Sequence, residues 1–131
     1  MVTVKDIIDH IEQVAPPALQ ESYDNAGIQV GELSTPVTGV LLCLDVTEEI
    51  VDEAIALGAN LIISHHPLLF KGLKRITGRS YIERVVMKAL RGGIAIYAAH
   101  TNLDATLVNR HWAGMLGLVD VEILQPVTSM L

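Results

Sequence analysis

Residues 39–67, GVLLCLDVTEEIVDEAIALGANLIISHHP, contain the elements that decide the fold. Residues 39–45 are continuously apolar up to the final acid, which is typical of a central parallel strand that is buried on both faces. Thr47 is the expected N-cap of the next helix, whose apolar face continues until Gly58. Residues 61–63 form the next strand. The stretch therefore predicts a strand, a helix and a second strand, the repeating unit of a parallel sheet.

The same alternation continues downstream of this stretch. Ser80 and Glu83 form a capping box that begins a second helix, and Gly93 follows the end of that helix. Residues 94–99 are then a third apolar strand, and a last helix is expected over residues 106–116. Right-handed crossovers would place the three strands parallel, with their C-terminal ends along one edge of the sheet. The sequence therefore predicts an α/β fold with helices on the faces of a largely parallel sheet.

Two further elements precede the central stretch. Thr3 is the expected N-cap of an amphipathic opening helix, which must stop at Pro16 and Pro17. Residues 24–27, Asp-Asn-Ala-Gly, predict a turn that leads into a short strand at residues 28–30. The opening helix and this strand add to the same predicted domain.

Length, charge and cysteine content limit the class of protein. The 131 residues suit one domain, 1–131, because a chain of this length can bury a sizeable core. The formal net charge of −6 repels nucleic acid and anionic membranes, so neither is an expected partner. The N-terminus lacks the apolar segment of a signal peptide or membrane span, and the single cysteine, Cys43, can form no internal disulfide. We therefore expect a cytoplasmic protein.

Four side chains that can bind metal follow the ends of two predicted strands. His65 and His66 follow the second core strand, and His100 and Asp104 follow the third. The edge beyond the C-terminal ends of parallel strands is where ligands usually bind. Pro67 turns the chain after the histidine pair, so that the two imidazoles can serve different ions. Imidazole and carboxylate suit Zn²⁺, Mn²⁺ or Fe²⁺, and a two-metal site is the expected outcome.

Each of these residues also has an ordinary structural interpretation. A single His or Asp at a strand end is more often a cap or a solvated loop residue. Two loops at one edge, both with imidazoles and one with a carboxylate, favour a metal site over that alternative. Asp45 could be an acid of the N-cap region or the partner of a ligand, and we favour the first interpretation. His10 and His111 lie on predicted helices and are interpreted as structural or surface residues.

Seven of the nine basic residues lie between positions 71 and 91, directly after the histidine pair. Lys71, Lys74 and Arg75 could hold a phosphate beside the metals, or could belong to a solvated loop. For the basic residues of the following helix, a solvated outer face is the simpler interpretation.

Four segments resemble successive signatures of a known protein family. They are YDNAGIQVG at 23–31, LDVT at 44–47, ISHHPL at 63–68 and HTNLD at 100–104. Their sequences and order are similar to those of Nif-three-like (Ngg-one-interacting-factor-three) proteins, many of which are labelled GTP cyclohydrolase I type two homologues. The resemblance implies a three-layer α/β/α fold, a centre of two divalent metal ions and a ring-shaped homohexamer built from dimers.

The resemblance also implies a set of ligands. His65, His66 and Asp104 match the family's metal ligands, whereas His100 would orient a ligand or a bound water from behind. Family members complete the site with a His and a Glu from a C-terminal His-x-x-x-Glu helix, and no such motif occurs in this sequence. We therefore expect residues 1–131 to be the N-terminal part of a longer protein, with weak metal binding when isolated.

Two functions are compatible with these features. The first is a metal-dependent hydrolase that acts on a nucleotide-like or phosphorylated small molecule, because two ions can activate water and hold the oxygens of the reacting group. A GTP cyclohydrolase is one version of this function, although no residue here selects guanine. The alternative is a non-enzymatic metal-binding regulatory or interaction protein, as the family's interaction-factor name implies.

Overall fold

A mixed four-stranded sheet lies at the centre of the structure, a computed structural model that describes residues 1–126. Within this part of the chain the strands are β1 (Gly27–Val30), β2 (Val40–Cys43), β3 (Leu61–Ser64) and β4 (Ala95–Ala98). Their order across the sheet is β1-β4-β3-β2. β2, β3 and β4 are parallel, as predicted, and β1 runs antiparallel beside β4. Residues 127–131, the end of the predicted domain 1–131, lie outside the described residues.

The helical segments account for most of the remaining structure. They are α1 (Val4–Val14), α2 (Glu48–Leu57), α3 (Tyr81–Gly92), α4 (Thr101–Leu103) and α5 (Asn109–Met115), with a 3₁₀ turn at Pro17–Leu19 and a π-helical turn at Asp104–Val108. Across residues 1–126, no helix combines the length and the apolar character that crossing a membrane requires.

Capping residues begin three helices at the predicted positions. The side chains of Thr3, Thr47 and Ser80 each accept a hydrogen bond from the backbone N–H three residues further on. These bonds satisfy N–H groups that have no partner within the helix. Gly58 and Gly93 follow α2 and α3 with φ angles of 70° and 65°, a conformation that glycine adopts without steric cost.

Helices cover both faces of the sheet, which confirms the three-layer α/β/α architecture. On one face, Val4 and Ile8 of α1 pack into a core with Tyr97. On the other face, α2 and α3 pack around Ile62 and Ile96. All four residues of β4 are buried, so β3 and β4 form the centre of the sheet. Their C-terminal ends are therefore held by packing on both sides.

The prediction that residues 39–45 form a strand buried on both faces is wrong. β2 is an edge strand: Leu41 and Cys43 contact the core under α2 and α3, but Leu42 and Leu44 are 72% and 61% exposed. The core on the α1 side is formed with residues of β3 and β4 and contains none from β2. A continuous apolar run indicates apolar side chains on both faces of a strand. It does not indicate whether another layer covers them.

The last helical segment begins earlier than residues 106–116, where it was predicted. Helical structure starts at Thr101, and Asp104 is the first residue of the π-helical turn. Asp104 was expected in a loop, because residues 101–105 contain only two apolar side chains and show no helical period. A π turn inserts one extra residue into a helix, and such turns are frequent at functional sites.

Candidate metal site

Three adjacent parallel strands carry the candidate side chains to one edge of the sheet. Asp45 follows β2, His65 and His66 follow β3, and His100 follows β4. The β2–β3 pairing continues beyond the strands, because the N–H groups of both residues of the histidine pair donate to carbonyls of the β2 chain at 3.2 and 3.0 Å. The convergence expected at the C-terminal edge of a parallel sheet is therefore present.

A turn brings the two neighbouring histidines together. Consecutive side chains of a regular strand point to opposite faces. After β3, however, the hydroxyl of Ser64 donates to the carbonyl of His66 at 2.9 Å, and Pro67 follows. The ring centroids of His65 and His66 lie only 5.1 Å apart as a result.

The three imidazoles form a compact cluster. The ring centroid of His100 lies 5.1 Å from that of His65 and 5.5 Å from that of His66. One ring nitrogen of each residue lies within 4.8 Å of one from each of the others. Among residues 1–126, this is the only group of three or more His, Cys, Asp or Glu side chains that could hold one ion. The cluster is partly accessible to solvent, since the side chains are 24% (His65), 45% (His66) and 20% (His100) exposed.

Every imidazole of the cluster has its Nδ1 atom bonded to an oxygen. In the order His65, His66 and His100, the partners are the carbonyl of Ala99 at 2.9 Å, the carboxylate of Asp45 at 2.8 Å and the carboxylate of Asp24 at 2.9 Å. Carbonyl and carboxylate oxygens accept hydrogen bonds, so each Nδ1 carries a proton, and in the neutral imidazole each Nε2 then keeps a lone pair. Histidines that bind metal ions are usually held in this way.

Asp104 faces the free nitrogen of His65. The carboxylate oxygen Oδ1 lies 3.4 Å from Nε2, and both atoms bear lone pairs when the His65 proton is on Nδ1. Two lone pairs face each other favourably only if a cation or a proton lies between them. Ligand atoms about 2.1 Å from a tetrahedral zinc ion lie about 3.4 Å apart. The residues present therefore fit a divalent metal ion.

The carboxylate of Asp24, behind His100, is completely buried, with 0% of its side chain exposed. It accepts hydrogen bonds from His100, from the backbone N–H of Asn25 and from both the N–H and the hydroxyl of Thr101. Burial alone would raise the pKa of Asp24, but the hydrogen bonds from Thr101 and His100 outweigh burial and lower it. Asp24 is therefore ionised at neutral pH.

The structure brings together the four side chains that the sequence analysis selected, His65, His66, His100 and Asp104. Asp45 lies two residues before Thr47, the predicted and observed N-cap of α2, and its side chain makes no hydrogen bond to α2 within residues 1–126. The carboxylate of Asp45 instead holds the Nδ1 atom of His66. An acid two residues before the N-cap is too far from the first turn of the helix to cap it. The spacing between Asp45 and Thr47 could therefore have indicated another role for Asp45.

The sequence predicts no contact for Asp24, although this residue lies in the YDNAGIQVG signature. The Asp-Asn-Ala-Gly tetrapeptide predicts a turn, since Asp and Asn are common in turns, and a turn requires no distant partner. His100 lies 76 residues further along the chain. No local spacing rule connects two residues at such a distance, and only the fold shows that they are partners.

The basic segment between residues 71 and 91 divides into two parts. Arg84 and Lys88 of α3 form ion pairs with acidic residues of α2 at 3.1 and 2.7 Å, which agrees with a solvated helix face. Lys71, Lys74 and Arg75 are exposed and make no hydrogen bond or ion pair with any residue from 1 to 126. They remain available to a ligand, and they are not members of the histidine cluster.

Curated relatives match almost the whole of this chain but are much longer. A GTP cyclohydrolase 1 type 2 homolog of Halalkalibacterium halodurans is 44% identical over 125 residues, which cover 94% of this chain and 34% of that protein. A protein of the same name from Lactococcus lactis is 39% identical over 123 residues, covering 92% of this chain and 48% of that protein. The chain thus spans between a third and a half of the length of these relatives.

Solved structures share the fold. A Bacillus cereus protein related to NIF3 has a TM-score of 0.87 at 46% identity, over 96% of this chain and 35% of that one. Reduced HcgD from Methanocaldococcus jannaschii also has a TM-score of 0.87, at 31% identity, over 95% of this chain and 50% of that one. A family model described as Duf34/NIF3 (NGG1p interacting factor 3) matches residues 2–130. The resemblance found in the four sequence signatures is therefore confirmed, and the chain belongs to the Duf34/NIF3 family.

Proposed function

We propose that His65, His66 and His100 bind a divalent metal ion with Asp104 beside them. The observation that carries the proposal is the 3.4 Å gap between Nε2 of His65 and Oδ1 of Asp104, two atoms that each offer a lone pair. One ring nitrogen each from His66 and His100 lies near this pair, so His100, which the family resemblance places behind a ligand, is proposed here as a ligand itself. Zn²⁺, Mn²⁺ and Fe²⁺ all accept such ligands.

Residues 1–126 by themselves offer this set of side chains to one ion. In the whole protein, we propose a centre of two divalent ions, in which additional ligands allow His65 and His66 to bind different ions. This arrangement needs further ligands from outside the present chain, since three imidazoles and one carboxylate are too few for two complete shells. Within this chain, the oxygen acceptors on each Nδ1 atom hold the imidazoles in the protonation state that ligation requires. Bound divalent ions would supply Lewis acidity and make water a nucleophile near neutral pH.

The proposed activity is hydrolysis of a nucleotide-like or phosphorylated small molecule. The curated relatives are named GTP cyclohydrolase 1 type 2 homologs, and GTP is a molecule of this class. Lys71, Lys74 and Arg75 are exposed cations on the segment that follows the histidine pair, and we assign them to the phosphate groups. The homohexamer that the family resemblance implies is part of the same proposal.

Elemental analysis of alanine variants of the full-length protein tests the metal site. His65→Ala and His66→Ala should each lower the bound metal per chain, because each removes an Nε2 ligand. His10→Ala and His111→Ala are matched controls, since both residues are exposed and lie on helices outside the cluster. If His65→Ala and His66→Ala both retained two metals per chain, the ligand assignment would be wrong.

Hydrolase assays separate the two candidate functions. The full-length protein, supplied with Mn²⁺ or Zn²⁺, should hydrolyse at least one nucleotide or phosphorylated compound from a broad panel. The His66→Ala variant should lose that activity, and His111→Ala should keep it. Stoichiometric metal binding without turnover of any compound would instead favour the non-enzymatic metal-binding regulatory or interaction protein.

A further inference from the structure

Four hydrogen-bond donors surround the two carboxylate oxygens of Asp24. Oδ1 accepts from Nδ1 of His100 at 2.9 Å and from the N–H of Asn25 at 2.7 Å. Oδ2 accepts from the N–H of Thr101 at 3.1 Å and from its hydroxyl. Because the Asp24 side chain is 0% exposed, solvent water has no access to replace a lost acceptor. All four donors are satisfied only while both oxygens accept.

The other two imidazoles depend less on a single side chain. Asp45, the partner of His66, is 64% exposed, so water can take its place at Nδ1. The partner of His65 is the backbone carbonyl of Ala99, which every side-chain substitution leaves in place. Asp24 is therefore the acceptor whose loss would leave one imidazole of the cluster without a partner for Nδ1.

We infer that Asp24 is a positioning residue of the metal site, whose carboxylate keeps the His100 proton on Nδ1 and turns Nε2 toward His65 and His66. The consequence for metal binding rests on the proposed function, whereas the effect on His100 does not. A neutral imidazole can carry its proton on either nitrogen, and only an unprotonated Nε2 can bind an ion at that position. A buried, charged acceptor selects the tautomer before any ion binds.

The tautomer of His100 can be measured by nitrogen-correlated NMR on the metal-free chain at a pH of about 8, where imidazoles are neutral. In the wild type we expect the proton on Nδ1, with a strongly downfield signal, because a hydrogen bond to a carboxylate is short and charge-assisted. Asp24→Asn offers one carbonyl oxygen and one NH₂ group. Whichever group faces His100, the charge-assisted bond is lost, so the signal should move upfield or disappear.

Zinc titration of the same variant gives the second measurement. Loss of the hydrogen-bond partner of a ligating histidine typically weakens metal binding about 10- to 100-fold, and we expect a loss of that size for Asp24→Asn. Thr101→Val is the matched control. It removes the hydroxyl donor from Oδ2 of Asp24 and the acceptor of the Glu21 N–H, but it leaves the bond to His100 in place, so neither the signal nor the zinc affinity should change much.

Three results would overturn the inference. The first is an Nε2–H tautomer of His100 in the wild type, which decides the question even if Asp24→Asn does not fold. The second is an unchanged His100 signal in Asp24→Asn, and the third is an equal change in Thr101→Val. If the chain shows the expected tautomer but the full-length wild type binds no zinc, the positioning role stands and the proposed function is refuted.

Discussion

The three oxygen atoms that accept hydrogen bonds from the Nδ1 atoms of the cluster are positioned in different ways. The carbonyl of Ala99 is placed by the sheet, since the N–H of the same residue donates to the carbonyl of Ser64 at 3.0 Å as a continuation of the β3–β4 pairing. Asp24 and Asp45 are side-chain acceptors from two other parts of the chain. The free nitrogens of the cluster therefore depend on the assembled fold, and no short peptide containing His65 and His66 would reproduce them.

Substitution of Lys74 and Arg75 tests the phosphate assignment. The double variant Lys74→Ala, Arg75→Ala of the full-length protein should bind nucleoside monophosphate or inorganic phosphate more weakly, because two unpaired cations are lost. The effect should shrink at high salt, where exposed charges are already screened. Binding would be measured by calorimetry at low and high ionic strength.

The matched control removes the same charge from a different place. Arg84→Ala, Lys88→Ala deletes two cations that are already paired with acidic residues of α2. Phosphate affinity should change little in this variant. Equal affinities of wild type and of Lys74→Ala, Arg75→Ala at low salt would return this segment to the solvated-loop interpretation.

The histidines of the cluster could be predicted from the sequence, but the side chains that accept hydrogen bonds from their Nδ1 atoms could not. His65, His66 and His100 could be found because each follows the end of an apolar strand, and parallel strands end at one edge. Asp24 comes from a loop before an antiparallel strand, and its partnership with His100 depends on how β1 pairs with β4. That pairing is a tertiary contact which the turn signal at residues 24–27 does not specify.

At the level of elements, the start of α3 depends on one buried acid. Glu83 is 7% exposed, and its carboxylate accepts from the N–H of Ser80 at 2.7 Å and from the N–H of Thr77 at 3.2 Å. The bond from the Ser80 backbone, followed by those from Thr77, keeps the pKa of Glu83 below its usual value although burial opposes this. Ionised Glu83 therefore stabilises the folded state.

The pH dependence follows from the lowered pKa. The stabilisation is fully present above the unfolded-state pKa of about 4.3 and is lost as the pH falls through the lower folded-state pKa. Glu83→Gln should therefore be less stable than wild type at pH 7, and the difference in urea midpoint should shrink below about pH 4. Glu53→Gln is the control, since Glu53 is exposed and makes no hydrogen bond within residues 1–126. A difference that stayed constant from pH 7 to pH 3 would contradict the capping role of the charge.

The element pattern was largely predictable, and the exception has a physical reason. Caps such as Thr3 and Ser80 and stops such as Gly58 act through local backbone hydrogen bonds, so the sequence reports them directly. The burial of β2 depends instead on which strands α1 covers, which is decided by packing between distant segments. Strand identity was therefore predicted correctly, whereas its place at the edge of the sheet was not.

The edge position of β2 predicts an unequal response to truncation of its leucines. Leu42→Ala should cost less than about 1 kcal/mol in the free energy of unfolding, because substitutions of exposed side chains have small effects. Ile62→Ala, at a side chain with 0% exposure, should cost about 2–5 kcal/mol through the loss of buried contacts. Urea unfolding of both variants at low protein concentration gives the comparison. Equal losses would show that the Leu42 face is covered in solution.

For the whole molecule, the sheet and the cluster differ in how complete they are. All residues of the two cores, one on each face of the sheet, lie between Val4 and Leu103. The cluster offers three imidazoles and the carboxylate of Asp104. This chain also covers only 34% of the Halalkalibacterium halodurans relative. We therefore expect the fold to depend less than the metal site on residues outside 1–131.

The last prediction is that the 131-residue chain, purified alone, folds and holds at most one divalent ion, more weakly than the full-length protein does. Three imidazoles and one carboxylate are too few to fill the ligand shells of two ions, so a second ion would be bound mostly by water. Two divalent cations a few ångströms apart also repel each other strongly unless carboxylates are shared between them, and Asp104 is the single carboxylate that we assign to the ions here.

Calorimetric titration of Zn²⁺ and of Mn²⁺ into the isolated chain gives the stoichiometry, which should not exceed one. Thermal unfolding provides an independent check, because an ion that binds the native state alone adds about 2.7 kcal/mol of stability at a free concentration one hundred times the Kd. His100→Ala should reduce both effects, and the exposed His111→Ala should leave them unchanged. Two tight sites on the isolated chain would mean that residues of this chain complete a second shell, and that no ligand from outside residues 1–131 is needed.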